Sequence, residues 1–213
     1  MLWNKLIGAT AAQTVEFISS AENSSTTNTT TVEAPSDIQS GDIIVFSDYV
    51  PNYTSGTVPS GFTEIVLTEA GAVDHRTSYK VADGTEGGTT ITGMTGSDFA
   101  CILLVFRPIF TPSVSFATWN SEGTDGDPSS QTVTPPTDKP VLVIYAAGSR
   151  LNMPSFSSQS PAFSGTVSVG LSSTANLLIG YSVYSGSAPS HTADVGDSGT
   201  RNTFHSGYLQ LQA

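Results

Sequence analysis

One cysteine, seven basic residues and few charges of any sign stand in this chain of 213 residues, and each scarcity removes a class of protein. The lone Cys101 excludes an intrachain disulfide framework. Its place inside the run FACILLVF (99–106) marks a small buried hydrophobe rather than a nucleophile. Seven Lys and Arg against 18 Asp and Glu, a formal net charge of -11, leave no basic stripe to neutralise phosphates or to dock on an anionic bilayer. Nucleic acid and membrane are therefore not expected as partners. No apolar stretch approaches the ~20 residues that span a bilayer as a helix.

What is abundant is hydroxyl. Only 12% of residues are charged, against about 25% in ordinary soluble domains, while Ser and Thr together exceed a quarter of the chain. Solubility is carried by hydroxyl groups. The N-terminus MLWNKLIGATAA has a short apolar patch and a small-residue end, but its Lys5 follows Leu2 and Trp3 instead of preceding the apolar part, unlike a signal peptide. Residues 1–12 are read as an apolar arm, held against the body or against a neighbouring subunit.

No window shows helical periodicity. Short apolar or alternating runs bounded by Gly, Pro, Asn, Asp and Ser recur instead, near 13–19, 29–33, 42–50, 62–68, 76–82, 89–92, 99–107, 113–118, 131–134, 140–147, 166–171, 177–184 and 203–212. FACILLVF, VLVIYAA and LLIGYSV are apolar at consecutive positions, as in strands covered on both faces, whereas YLQLQ and TVEFI alternate. The expectation is an all-β, antiparallel, jelly-roll-like β-sandwich, one domain over 13–213.

An internal echo supports two similar halves, about 13–110 and 111–213. TVEAPSD (31–37) matches TVTPPTD (132–138) at Thr31/Thr132, Val32/Val133, Pro35/Pro136 and Asp37/Asp138. YKVADG (79–84) matches YSVYSG (181–186) at Tyr79/Tyr181, Val81/Val183 and Gly84/Gly186. Either each half supplies matching strands to one sandwich, or the halves form two tandem small sandwiches. One fused sandwich is favoured, because nothing in 108–131 is long and polar enough to be a free linker.

Signatures of chemistry are sparse. The nucleophile elbow G-x-S-x-G is missing, and no catalytic residue is assigned. His75, His191 and His205 are far apart, without a zinc-type pair, and are read as separate surface or strand-end imidazoles. Glu64, Glu69, Asp83 and Glu86 show no spacing that selects a glycosidase-like carboxylate pair. The acidic loops SEGTDGDPSS (121–130) and HTADVGDSG (191–199) read as solvated turns rather than Ca²⁺ sites. Neither metal nor cofactor is expected. Aromatic residues are the remaining hint: Tyr49 and Tyr53 flank Pro51, Trp119 ends a strand and Trp3 sits in the arm. These four are the candidate interface or glycan contacts, although each loop aromatic equally suits capping a core. Pro59-Ser60-Gly61 reads as a turn that delivers Phe62 to the core.

Taken together, Pro35 with Gly41-Asp42-Ile43-Ile44, the element Pro59-Ser60-Gly61-Phe62-Thr63, the strand with Tyr79-Lys80 and the strand ending Phe106-Arg107 form a pattern. It resembles a family of phage and prophage β-sandwich proteins that carry P…GDLL, P-x-G-W/F-T, Y-K and Y/F-R-G elements. The resemblance covers most of the chain and is densest from Pro35 to Pro108. It departs at Phe62, where Trp is commoner, and at Pro108, where Gly is commoner. It implies a non-enzymatic virion structural protein at the particle surface, either a capsid decoration (cement) protein or a tail-associated one. The implied partners are its own copies, as a trimer or other symmetric oligomer, and other virion proteins such as the major capsid protein. The alternative is a carbohydrate-binding receptor-recognition module on a host surface glycan. Those motifs are scaffold motifs, and fold analogy alone does not give function.

Overall fold

The computed structural model describes residues 14–52, 56–70, 73–124, 128–136, 138–171, 173–196 and 201–212. The N-terminal arm with Trp3, and Tyr53, lie outside the described residues. Seven strands occupy the first half: β1 (Val15–Ser25), β2 (Thr29–Glu33), β3 (Ile43–Pro51), β4 (Thr63–Ala70), β5 (Val73–Val81), β6 (Thr90–Thr95) and β7 (Phe99–Pro108). Eight occupy the second: β8 (Ser113–Thr124), β9 (Gln131–Val133), β10 (Val141–Ser149), β11 (Ser155–Ser160), β12 (Gly165–Gly170), β13 (Asn176–Tyr184), β14 (His191–Gly196) and β15 (Asn202–Gln212). The chain is all-β, and every strand pairing is antiparallel.

The halves do not interleave. The first builds a five-stranded sheet in the order β1-β7-β3-β5-β4, and the second builds its own in the order β12-β13-β10-β15-β8. Two small sheets, β2-β6 and β11-β14-β9, cover the outer faces, so the molecule has four layers. This layering explains the consecutive apolar runs. Along β3, Ile43, Val45 and Tyr49 face the second large sheet while Ile44, Phe46 and Val50 face the first small one. Along β10, Leu142, Ile144 and Ala146 face inward while Val143, Tyr145 and Ala147 face outward. A strand covered twice must be apolar at both parities, and each large side chain removed from water contributes about 1.5–3 kcal/mol.

Followed from β1 in one half and β8 in the other, the large sheets have the same strand order, with β3 matching β10, β5 matching β13, β7 matching β15 and β4 matching β12. Register makes the match residue by residue. Val45 lies between Tyr79 and Leu104, and Ile144 lies between Tyr181 and Gly207. Ser47 lies between Thr77 and Ile102, and Ala146 between Ile179 and His205. Tyr49 lies between His75 and Ala100, and Gly148 between Leu177 and Thr203. The Tyr79/Tyr181 echo is thus a structural equivalence.

Across the inner interface β1 meets β12, β7 meets β13, β3 meets β10 and β4 meets β8. Where two elements oppose each other their counterparts do so too, as β1–β12 and β8–β4 show, which is the geometry of an isologous two-fold dimer made within one chain. The axis runs between β3 and β10.

Two strands escape the sequence reading. β11, SFSSQS, is an edge strand with one half-buried residue and five exposed, so it lacks the apolar period that marks a strand. β14 lies in the stretch read as an acidic loop, yet its burial alternates from a buried His191. Phe62 is half-buried rather than in the core. Its ring meets Phe46 edge-on, centroids 6.2 Å apart, at the margin of the outer cluster.

Candidate functional site

The densest buried polar group sits between the two large sheets. β3 and β5 bring Ser47, His75 and Thr77 to the inner face, β4 adds Thr68, and β15 supplies Thr203 and His205 from the other half. His75 accepts or donates at both ring nitrogens, with Ser47 Oγ 2.9 Å from Nε2 and Thr203 Oγ1 2.8 Å from Nδ1. His205 is held the same way, with Thr77 Oγ1 3.0 Å from Nδ1 and Thr68 Oγ1 2.8 Å from Nε2. The two rings stack, centroids 3.8 Å apart. Hydroxyls serve as donor or acceptor, so they satisfy either neutral tautomer.

Burial sets the charge state. Desolvation, then the neighbouring His205, holds His75 well below the usual imidazole range. Desolvation pushes His205 down to about 3. Both rings are neutral at pH 7. The separate surface imidazoles read from the sequence are corrected: His75 and His205 meet across 130 residues of chain, and His191 is buried against Tyr184. A contact set by the packing of two sheets has no sequence spacing to betray it.

A hydroxyl beside an imidazole is the start of a nucleophile–base pair. Here the group on the far ring nitrogen is Thr203, not a carboxylate, and Ser47, His75, Thr77, Thr203 and His205 have no exposed surface. No substrate reaches Ser47. The cluster works as a satisfied polar core.

A second polar group lies on the other face of the first large sheet. Asp48 is fully buried and accepts from the Met94 N–H (2.8 Å), with the Arg76 Nε 3.6 Å from its other oxygen. Gly93 makes room for this carboxylate, since a Cβ there would stand 2.3 Å from it. Burial outweighs Arg76 and pushes the Asp48 carboxyl up to about 6. Asp74, opposite Glu69 on β4, is likewise pushed up to about 6, by burial and then by Glu69. Glu64 approaches Arg76 at 3.9 Å from the solvent side. Asp83 and Glu86 converge on Lys80 and cap the turn after β5, with Glu86 accepting from the Asp83 and Gly84 N–H groups. Among the described residues no three His, Cys, Asp or Glu are grouped to hold a metal ion.

The aromatic candidates divide. Tyr49 is not a loop residue: it lies near the end of β3 fully buried, its ring against Gly148, its hydroxyl donating to the Arg201 carbonyl at 2.7 Å. It is out of reach of a glycan. Trp119 is half-buried in β8 and its ring covers Gly207, where a Cβ would lie 2.3 Å from the indole. Tyr53 and Trp3 lie outside the described residues. Cys101 is buried, and desolvation raises its thiol far above the usual range, which leaves it inert.

Several of the motif residues behind the resemblance make structural contacts. Arg107 grips the buried Asp42 carboxylate with two bonds of 2.8 Å and also donates to the Asp37 carbonyl. Gly41 and Gly61 sit at φ +90° and +79°, where the turns before β3 and β4 require a residue without Cβ. The Phe62 N–H closes the second turn on the Pro59 carbonyl. Shallow surface grooves flank these turns, one of about 310 Å³ beside Phe62, Lys80 and Glu86. No family model, curated protein or solved structure matches the chain.

Proposed function

We propose that the chain is a non-enzymatic structural subunit of a bacteriophage particle, an outer capsid decoration protein that adds subunit contacts to the head. One observation carries this reading. Asp42, Arg107, Lys80 and the turn glycines of the phage-family pattern serve the scaffold, while the His75–His205 cluster and the Asp48–Arg76 pair are buried inside the layers. A protein built so offers neighbours a rigid, charge-poor, hydroxyl-rich exterior rather than a cleft. Stabilising a shell needs only such a surface, repeated, with more than ~1,000 Å² buried per specific contact. The partners are its own copies, in a symmetric oligomer, and the major capsid protein.

Quantitative mass spectrometry of purified particles tests the reading. Copies in fixed ratio to the major capsid protein, hundreds per particle, are expected. A handful of copies overturns decoration and favours the tail receptor-recognition alternative. That alternative further requires glycan-array binding that Trp119→Ala abolishes, because Tyr49 has no exposed surface to contribute.

A further inference from the structure

The two halves of the inner interface are related by the two-fold axis but are not chemically alike. Ser47, His75 and Thr77 correspond by register to Ala146, Leu177 and Ile179. Thr68, Thr203 and His205 correspond to Val169, Ala100 and Ile102. All six polar residues therefore lie on one side of the axis, and their six counterparts on the other side belong to the apolar core. The same backbone packs well without any of the hydroxyls or imidazoles, so folding alone does not call for them.

On the axis itself a second asymmetry appears. Tyr49 and Gly148 occupy equivalent positions, and the Tyr49 ring fills the space over Gly148, where a Cβ would lie 2.3 Å from it. One sheet carries the knob and the other the hole.

We propose that these features are a pairing code: they make the first large sheet accept only the second large sheet as its partner, and exclude pairing of like halves between two copies of the chain. Isologous geometry makes like pairing available in principle. Two first halves would set His75 of each copy against Ile102 of the other, orphan Thr68 and the His75 Nδ1, and leave Thr77 with Ser47 alone, while Tyr49 would meet Tyr49. Two second halves would set His205 against Leu177 and leave a void between facing Gly148 residues. Each orphaned buried polar group disfavours an assembly by a factor of about ten. Only the unlike pair reunites both imidazoles with their four hydroxyls. Buried polar groups that fix register and partner at some cost in stability are the best-attested use of such residues. The code matters most if many copies are concentrated on one surface, but it does not depend on that reading.

The test co-refolds ordinary and isotope-labelled full-length chains at neutral pH, cross-links carboxylates and identifies the linked peptides by mass spectrometry. A link between a labelled and an unlabelled copy of the same half scores like pairing. Links between unlike halves of two chains score simple exchange, which preserves the code. The variant combines Tyr49→Ala with Ser47→Ala, Thr68→Val, His75→Leu, Thr77→Ile, Thr203→Ala and His205→Ile, the six interface changes being the residues the chain already uses at the equivalent sites. Like pairing is expected to rise at least about tenfold over the unaltered chain. If this variant yields no folded protein, Tyr49→Ala/His75→Leu/His205→Ile is measured in the same way, with a rise of at least about threefold expected. A folded variant whose like pairing equals that of the unaltered chain overturns the proposal.

Discussion

His75 from the first half stacks on His205 from the second, ring planes 11° apart, and four hydroxyls take all four ring nitrogens. The titratable Tyr49 also faces them, its ring 6.1 Å from that of His75. Asp48, Asp74 and Arg76 lie on the opposite face of the same sheet.

Both imidazoles titrate lower in the folded chain than the unfolded value of about 6.5. Their contribution is therefore fully present above about pH 6.5 and is lost as pH falls from there toward about 3 for His205. Asp48 and Asp74 have raised carboxyl pKa values near 6, so their ionised forms oppose folding at neutral pH and that opposition fades between pH 6 and 4. The two effects have opposite sign in the same window. Comparison with His75→Leu/His205→Ile removes the carboxylate part. Urea unfolding should show the variant gaining on the unaltered chain by about 2 kcal/mol per imidazole between pH 7 and 5. Parallel stability curves would contradict the neutral-imidazole assignment.

The buried pair Asp48 and Arg76 corresponds by register to Ala147 and Leu178 in the other half. Removing Arg76 leaves the buried Asp48 without a cation, and removing Asp48 leaves Arg76 with only the exposed Glu64 at 3.9 Å, so Asp48→Ala or Arg76→Leu alone should cost about 3–5 kcal/mol. The double change installs the apolar solution that the second half already uses. It should cost less than either single change, and denaturant unfolding of all three variants measures the coupling.

Gly148 is required by its neighbours rather than by its backbone. A methyl there would stand 2.3 Å from the Tyr49 ring and 2.7 Å from the Thr203 hydroxyl, so Gly148→Ala should cost about 1–3 kcal/mol in thermal unfolding. Gly186, where an added methyl would meet nothing within 4 Å, is the matched control and should shift by less than about 0.5 kcal/mol. Equal effects at the two sites would remove the tight contact from the account.

Phe46 and Phe62 touch but are not equally buried. Phe46→Ala, deep under the small sheet, should cost about 3–5 kcal/mol, and Phe62→Ala about half of that. Reversal of that order would place Phe62 in the core after all.

How much of the fold is legible in the sequence varies from strand to strand. β2 is legible to the residue, because TTTVE combines β-branched side chains with flanking turn residues, and the Tyr79/Tyr181 echo matches β5 with β13. β11 is invisible there because an exposed Ser-rich edge strand buries almost nothing and so has no apolar period. Tyr49 looks like a loop aromatic because Pro51 and Asn52 follow it, yet it is the central residue of the interface.

Composition and local pattern by themselves determined the class of the chain, most of its strands and its doubling, because alternation, β-branching and turn residues act over a few neighbours. Tertiary structure alone decided that each half keeps its own sheet, that His75 meets His205 and that Tyr49 fills the space over Gly148. Those contacts arise from how two finished surfaces dock. The energy that selects them is summed over residues about 100 or more positions apart, and no local spacing in the chain records it.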